Sequence, residues 1–270
     1  MLFEEIDTLL RSKLSPEEYK INNEFYGLQY RVKNSDSLIK KIMLTTDLNL
    51  EAIHYATVNK FNLIISYRSL VNKPIDYFNQ NLVNKITLLS KYPVSIYVLN
   101  SSLIAAEGGI SDIIREALYL DLDKTFDIRN RYGDMIPLGR VCLPTTYPNQ
   151  KEPLNLKDLL NRIKVNLELN NINFVGDLTQ SINKINIIGD ILANIKYLEA
   201  TINLGCNCLI VCDFDYKEAL YARDLELGLI KIPHYNCEIK CMKRLCNILS
   251  LEFPNDEIFL YESRNPIRIF

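Results

Sequence analysis

GLIKIPHYNCE, residues 228–238, holds one repeat of an architecture in a single stretch: an apolar strand, a break and the start of a helix. Leu229, Ile230 and Ile232 form the short apolar run of a buried strand, Pro233 stops it, and a helix is expected from Asn236. The same unit recurs upstream as NCLIVCD (207–213) before a helix from Asp215, and as KINIIGD (184–190) before another. In the first half, KIMLTT (41–46) precedes a helix over 49–59 that carries Leu50, Ile53 and Ala56 on one face. NLIIS (62–66) precedes a helix over 75–90, and VSIYVL (94–99) precedes one over 110–119 opened by the Gly108-Gly109 turn. GLQYRV (27–32) and EIFLYE (257–262) read as further strands.

Such alternation predicts the α/β class with largely parallel sheets, because a parallel strand needs a crossover helix. The expected architecture is two α/β lobes packed face to face around a cleft. The lobes would span 1–122 and 155–270, joined by a crossing segment over 123–154 that contains LGRVCLP (138–144). NLKDLLNRIKVNLE (155–168) opens the second lobe as a periodic helix with Leu159, Leu160, Ile163 and Leu167 apolar. The chain to about residue 22 reads as helical, with Ser15 as N-cap and Pro16 at the first helical position.

Composition narrows the function classes. A chain of 270 residues with 48% hydrophobic content can bury a large core, and its net charge of -2 exerts no global pull on nucleic acid or anionic lipid. No apolar run reaches the roughly 18 residues of a membrane span, and the early acids Glu4, Glu5 and Asp7 argue against a presequence, so a cytoplasmic protein is expected. The 28 asparagines against 9 alanines are the bias of an A/T-rich genome. The seven cysteines, several inside apolar runs such as GCNCLIVCDF, read as reduced core thiols. No C-x-x-C spacing joins Cys206, Cys208 and Cys212 to Cys237, Cys241 and Cys246 as a zinc site.

Few residues offer chemistry. Phosphate loops, dinucleotide glycine motifs, nucleophile elbows and H-E-x-x-H are all missing. Of the two histidines, His54 sits within an amphipathic helix and reads as an ordinary helix residue. His234 follows a strand at a helix entrance, where Glu238 can share its face, as a ligand pair or as a strand end and a first-turn acid. Asp213 and Asp215 are a carboxylate pair or caps of the helix that follows. In NLIISYRSL (62–70) the apolar run stops at Ser66-Tyr67-Arg68, at the strand end where open α/β sheets bind ligands.

In order and spacing these stretches resemble the Nif-three-like family, whose bacterial members are labelled GTP cyclohydrolase I type two homologues. Phe25-Tyr26-Gly27-Leu28-Gln29 is similar to its W-D-N-x-G-L segment, KIMLTTDLN with Asp47 to its L-x-x-x-D-x-T strand, and AAEGGISDIIREAL (105–118) to its G-G-x-N-D helix start. LGRVCLP is similar to its G-x-G-R segment and GLIKIPHYNCE to its G-H-Y-x-x-E motif. The resemblance implies two lobes around a cleft, often in a hexameric ring, and a two-metal site. Its ligands are a histidine pair after the apolar strand, an aspartate in an H-T-N-x-D stretch, and the His and Glu of the last motif. His234 and Glu238 match that last pair. The histidine pair falls on Ser66 and Tyr67, with Arg68 in the following proline's place. The aspartate falls on Ile104 and the histidine opening its stretch on Asn100.

Serine and isoleucine cannot replace imidazole and carboxylate, and Arg68 adds a fixed positive charge. The resemblance therefore implies a non-catalytic binding protein without metal or cofactor. With the A/T-rich composition it is similar to the dormancy factors that silence ribosomes in microsporidian spores. Ribosomal RNA and proteins are then the expected partner, with Arg68, Arg129, Arg131, Arg140, Arg264 and Arg268 as candidate phosphate contacts and a homo-oligomer compatible with the family. A metal-dependent hydrolase with a reshaped site using His234, Glu238 and either Asp47 or a cysteine, and a protein-binding scaffold, are the alternatives.

Overall fold

The computed structural model describes residues 1–32, 38–71, 74–92, 94–145 and 153–268. In chain order they form α1 (Phe3–Leu9), β1 (Gly27–Tyr30), β2 (Lys41–Thr45), α2 (Leu50–Val58), β3 (Leu63–Ser66), α3 (Gln80–Lys91), β4 (Ser95–Val98), α4 (Ser102–Ala105) and α5 (Ile110–Ala117). There follow β5 (Leu120–Arg129), β6 (Met135–Pro144), α6 (Leu156–Asn166), β7 (Asn173–Val175), β8 (Ile185–Ile187), α7 (Ile195–Asn203) and β9 (Cys208–Val211). The chain ends with α8 (Tyr216–Asp224), β10 (Gly228–Lys231), α9 (His234–Glu252) and β11 (Glu257–Tyr261).

The chain divides into two compact units. One comprises Met1–Leu103 with Ile239–Phe270, the other Ile104–Glu238. This differs from a division at 122 and 155, because β11 returns from the C-terminus to pair in parallel with β2, Ile258 beside Ile42. The first unit is thus built from both chain ends. Its sheet has the order β1-β4-β3-β2-β11, parallel except for β1. Met43, Ile64, Ile96 and Val98 bury one core with Ile53 and Ala56 of α2. Asparagine side chains cap α2, α3, α6 and α7: Asn49, Asn79, Asn155 and Asn194 accept from Ala52, Leu82, Asp158 and Tyr197 N–H groups. Each satisfies an otherwise orphaned helix donor.

The second unit's sheet has the order β5-β6-β8-β9-β10-β7, with β8, β9 and β10 parallel. The expected crossing segment is a correction. Residues 123–144 of it belong to the antiparallel hairpin β5–β6, which pairs with β8 through Arg140 opposite Ile187; residues 146–152 lie outside the described residues. Alternation of exposed and buried residues along β5 is irregular and its register shifts twice, which hides a strand from a period-two reading. Two helix starts also differ. α9 begins at His234 rather than Asn236, and only a 3-10 turn (Glu17–Tyr19) follows Pro16. Ser15 is buried, its hydroxyl 2.5 Å from that of Ser102, so it serves packing and not a cap. Among the described residues no helix is long and apolar enough to cross a membrane.

Candidate functional site

The parallel strands β8, β9 and β10 all end on one edge of the second unit's sheet, and their following residues converge there. Asp190 stands three residues after β8, with φ +52°. An aspartate tolerates this left-handed backbone better than most residues. Cys212 follows β9 directly and is fully buried, and His234 opens α9. A ligand atom from each of Asp190, Cys212 and His234 lies within 4.8 Å of the other two. Nδ1 of His234 is hydrogen-bonded to Oδ1 of Asp190, and the backbone N–H of Asp190 donates to the Cys212 sulfur at 3.0 Å.

Glu238 lies one helical turn beyond His234. Its carboxylate is 3.8 Å from Nδ1, and the residue is 2% exposed. The structure thus brings His234 and Glu238 together, as their spacing suggested. Cys237 is also fully buried, and interaction with the Cys212 thiol together with burial pushes its own thiol well above the usual cysteine range. Beside this group, Asp213 turns away to bind Lys231 and the Phe214 N–H. Asp215 occupies the N-cap of α8 without a side-chain capping bond.

Asp190 is not singled out by the sequence, and Cys212 reads there as one of the core thiols. The signal was present in the parallel endings IIGD and IVCD, each an apolar strand closing on a ligand-type residue. All seven cysteines are free and buried. Burial pushes Cys206 to about 11 and Cys142 to about 12, the pattern of inert core thiols.

The four other positions placed by the family resemblance offer no metal donors of the required kind. Ser66 is fully buried and its hydroxyl donates to the Arg68 carbonyl at 2.7 Å. Tyr67 is 4% exposed, with the Arg68 guanidinium 5.3 Å from its ring centre. Asn100 has φ +48°, and its side-chain amide donates to the Phe25 carbonyl at 2.5 Å. Ile104 is buried. These residues do not fit a two-metal centre, so no chemistry is derived through one. Arg68 is paired with Asp47 at 3.2 Å.

Arg140 is a correction. Expected as a surface phosphate contact, it is 4% exposed and joined to Asp112 at 2.7 Å and 3.0 Å. It also donates to the carbonyls of Ala105, Ala106, Pro137 and Gly139. Arg129 and Arg131 are exposed at the tip of the β5–β6 hairpin, and Arg264 and Arg268 are exposed after β11. His54 is exposed on α2, where it lines a groove with Tyr55, Leu88 and Tyr261.

Comparison with known proteins agrees with the two-sheet α/β architecture. The sequence pattern described as Duf34/NIF3 (NGG1p interacting factor 3) matches residues 1–266. A "GTP cyclohydrolase 1 type 2 homolog" of Clostridium perfringens is 24% identical over 257 residues, covering 94% of each protein. A Bacillus subtilis protein of the same name is 29% identical over 146 residues, covering 52% of this chain but only 37% of its own length. Among solved structures, a Bacillus cereus protein related to NIF3 superposes with a TM-score of 0.81 at 16% identity, covering 100% of this chain and 99% of its own. A Staphylococcus aureus hypothetical protein gives 0.80 at 19% identity, with the same coverage.

Proposed function

The chain belongs to the DUF34/NIF3 family, and from that premise we propose that it is a non-catalytic member, a binding protein that has lost the two-metal hydrolase site and associates with the ribosome to silence translation in a dormant state. One observation supports the loss above others: Ser66 and Tyr67, in the places of the histidine pair, are buried and committed to local structure. A divalent catalytic centre needs about three protein ligands and an open position. Replacing either residue by histidine would require repacking a strand end.

The bacterial relatives' name supports the alternative, a hydrolase acting on a nucleotide. Metal analysis of the purified protein separates the two. Two equivalents of divalent metal per chain with metal-dependent turnover of GTP would overturn the non-catalytic reading.

For the partner, the support is local. Arg129 and Arg131 are exposed beside the exposed ring of Tyr132 at one hairpin tip, where two guanidinium groups and an aromatic face suit phosphate and base contacts. Asp127 and Asp134 flank them, so the contact would be confined to the tip. In this reading Arg264 and Arg268 contribute separately. Purified protein should co-sediment with ribosomes at low salt and dissociate as salt rises. Arg129→Ala with Arg131→Ala should lower the salt slope by roughly one unit per arginine. Failure to co-sediment at low salt sinks the ribosome assignment.

A further inference from the structure

We propose that the second unit binds a single zinc ion through Cys212, Asp190 and His234, with Glu238 as fourth donor, as a structural centre at the ends of β8 and β9 and the start of α9. The site shares His234 and Glu238 with the ligand set of the family resemblance but takes Asp190 and Cys212 in place of its histidine pair and aspartate, so it is a one-metal and not a two-metal centre. The inference rests on unit-two residues alone and does not depend on the ribosome assignment.

The geometry supplies the first argument. Zinc bonds of about 2.0–2.3 Å set tetrahedral donors roughly 3.3–3.8 Å apart. The three donor atoms here already lie within 4.8 Å of one another. Glu238 is 3.8 Å from Nδ1 of His234 on the same helix face. Binding would exchange the Asp190–His234 hydrogen bond for two bonds to the metal, with Glu238 entering from the His234 side of the three-residue cluster.

The chemistry of the donors supplies the second. A sulfur, an imidazole and carboxylates form a mixed set that suits zinc better than calcium or magnesium, which take oxygen alone. The Asp190 backbone N–H is aimed at the Cys212 sulfur at 3.0 Å and holds it in place. Hydrogen bonds of this kind orient ligands from outside the coordination shell.

Function follows from burial. Cys212 is fully buried and Glu238 is 2% exposed, so the thiol is badly placed as a nucleophile for a substrate from solution. Four protein donors close a zinc site, and closed sites hold structure and do not activate water. Zinc here would tie two strand ends to the helix start.

The test uses the purified full chain, stripped with chelator and titrated with zinc against a chromophoric competitor, then with cobalt(II) as a spectroscopic stand-in. The expected result is one equivalent per chain and a thiolate-to-cobalt charge-transfer band with tetrahedral d–d absorption. Cys212→Ser should abolish that band and weaken zinc binding at least tenfold, while Cys206→Ser, a buried thiol elsewhere, should change neither. Should Cys212→Ser fail to fold, Asp190→Asn keeps the side-chain volume and tolerates the left-handed backbone, and it too should weaken zinc at least tenfold. Absence of zinc binding overturns the proposal and leaves the non-catalytic reading standing. So does one equivalent bound equally by wild type, Cys212→Ser and Asp190→Asn. Two equivalents without a thiolate band overturn both.

Discussion

Arg140 shows how a single residue can be read correctly as chemistry and wrongly as location. Its guanidinium satisfies Asp112 and four backbone carbonyls inside the second unit. Removing one partner of a buried ion pair leaves the other charged and desolvated. Arg140→Ala should therefore cost about 3–5 kcal/mol, read as a lower denaturation midpoint at unchanged slope. Burial pushes the Asp112 carboxyl up, but hydrogen bonds and charge attraction from Arg140, the Gly108 N–H and Arg115 outweigh it and hold the group below the usual carboxylate range. A group depressed in the folded state contributes stability above its unfolded pKa of about 3.9 and loses it as pH falls through the folded value. Asp112→Asn should thus lower stability at neutral pH and flatten the stability loss below about pH 4. An unchanged acid limb would show that the pair does not contribute to it.

At the scale of elements, β6 and β8 explain why a glycine stands at position 139. A Cβ there would lie 2.6 Å from the Ile187 carbonyl oxygen and 3.2 Å from Phe126 Cβ. The oxygen is backbone in a paired strand, with Arg140 opposite Ile187, and cannot move without displacing β8. Gly139→Ala should destabilise by about 1–3 kcal/mol, as overpacking in a filled core does. Because β8 leads directly to Asp190, the same substitution should weaken zinc binding although it touches no ligand. Equal stability and equal zinc affinity in the variant would contradict this account.

For the whole molecule, the return of β11 to the first sheet makes that unit dependent on both termini. Phe259 stacks on Tyr55 at 5.5 Å and Tyr261 lies 5.0 Å from the same ring, so the strand brings packing as well as hydrogen bonds. Truncation after Glu252 should expose the edge of β2 and remove hydrogen-exchange protection from 41–45, 63–66 and 95–98. Protection in 185–187 and 208–211 should persist, since the second unit's sheet uses none of the removed residues. Uniform loss across both sheets would show the two units to be one cooperative body.

Local pattern was enough for most elements: NLIIS, VSIYVL and NCLIVCD appear as β3, β4 and β9, and the amphipathic 155–168 stretch as α6. Strand and helix periods are written in neighbouring residues, and so is the helix turn that sets Glu238 beside His234. The hairpin β5–β6 escaped because its register shifts break the period, and the division into units escaped because β11 pairs with a strand more than 200 residues earlier. Only tertiary structure joined Asp190 and Cys212 to His234, since parallel strands bring their carboxyl ends together across intervening helices. It also buried Arg140, because whether a charge meets water or a carboxylate is decided by what packs over it.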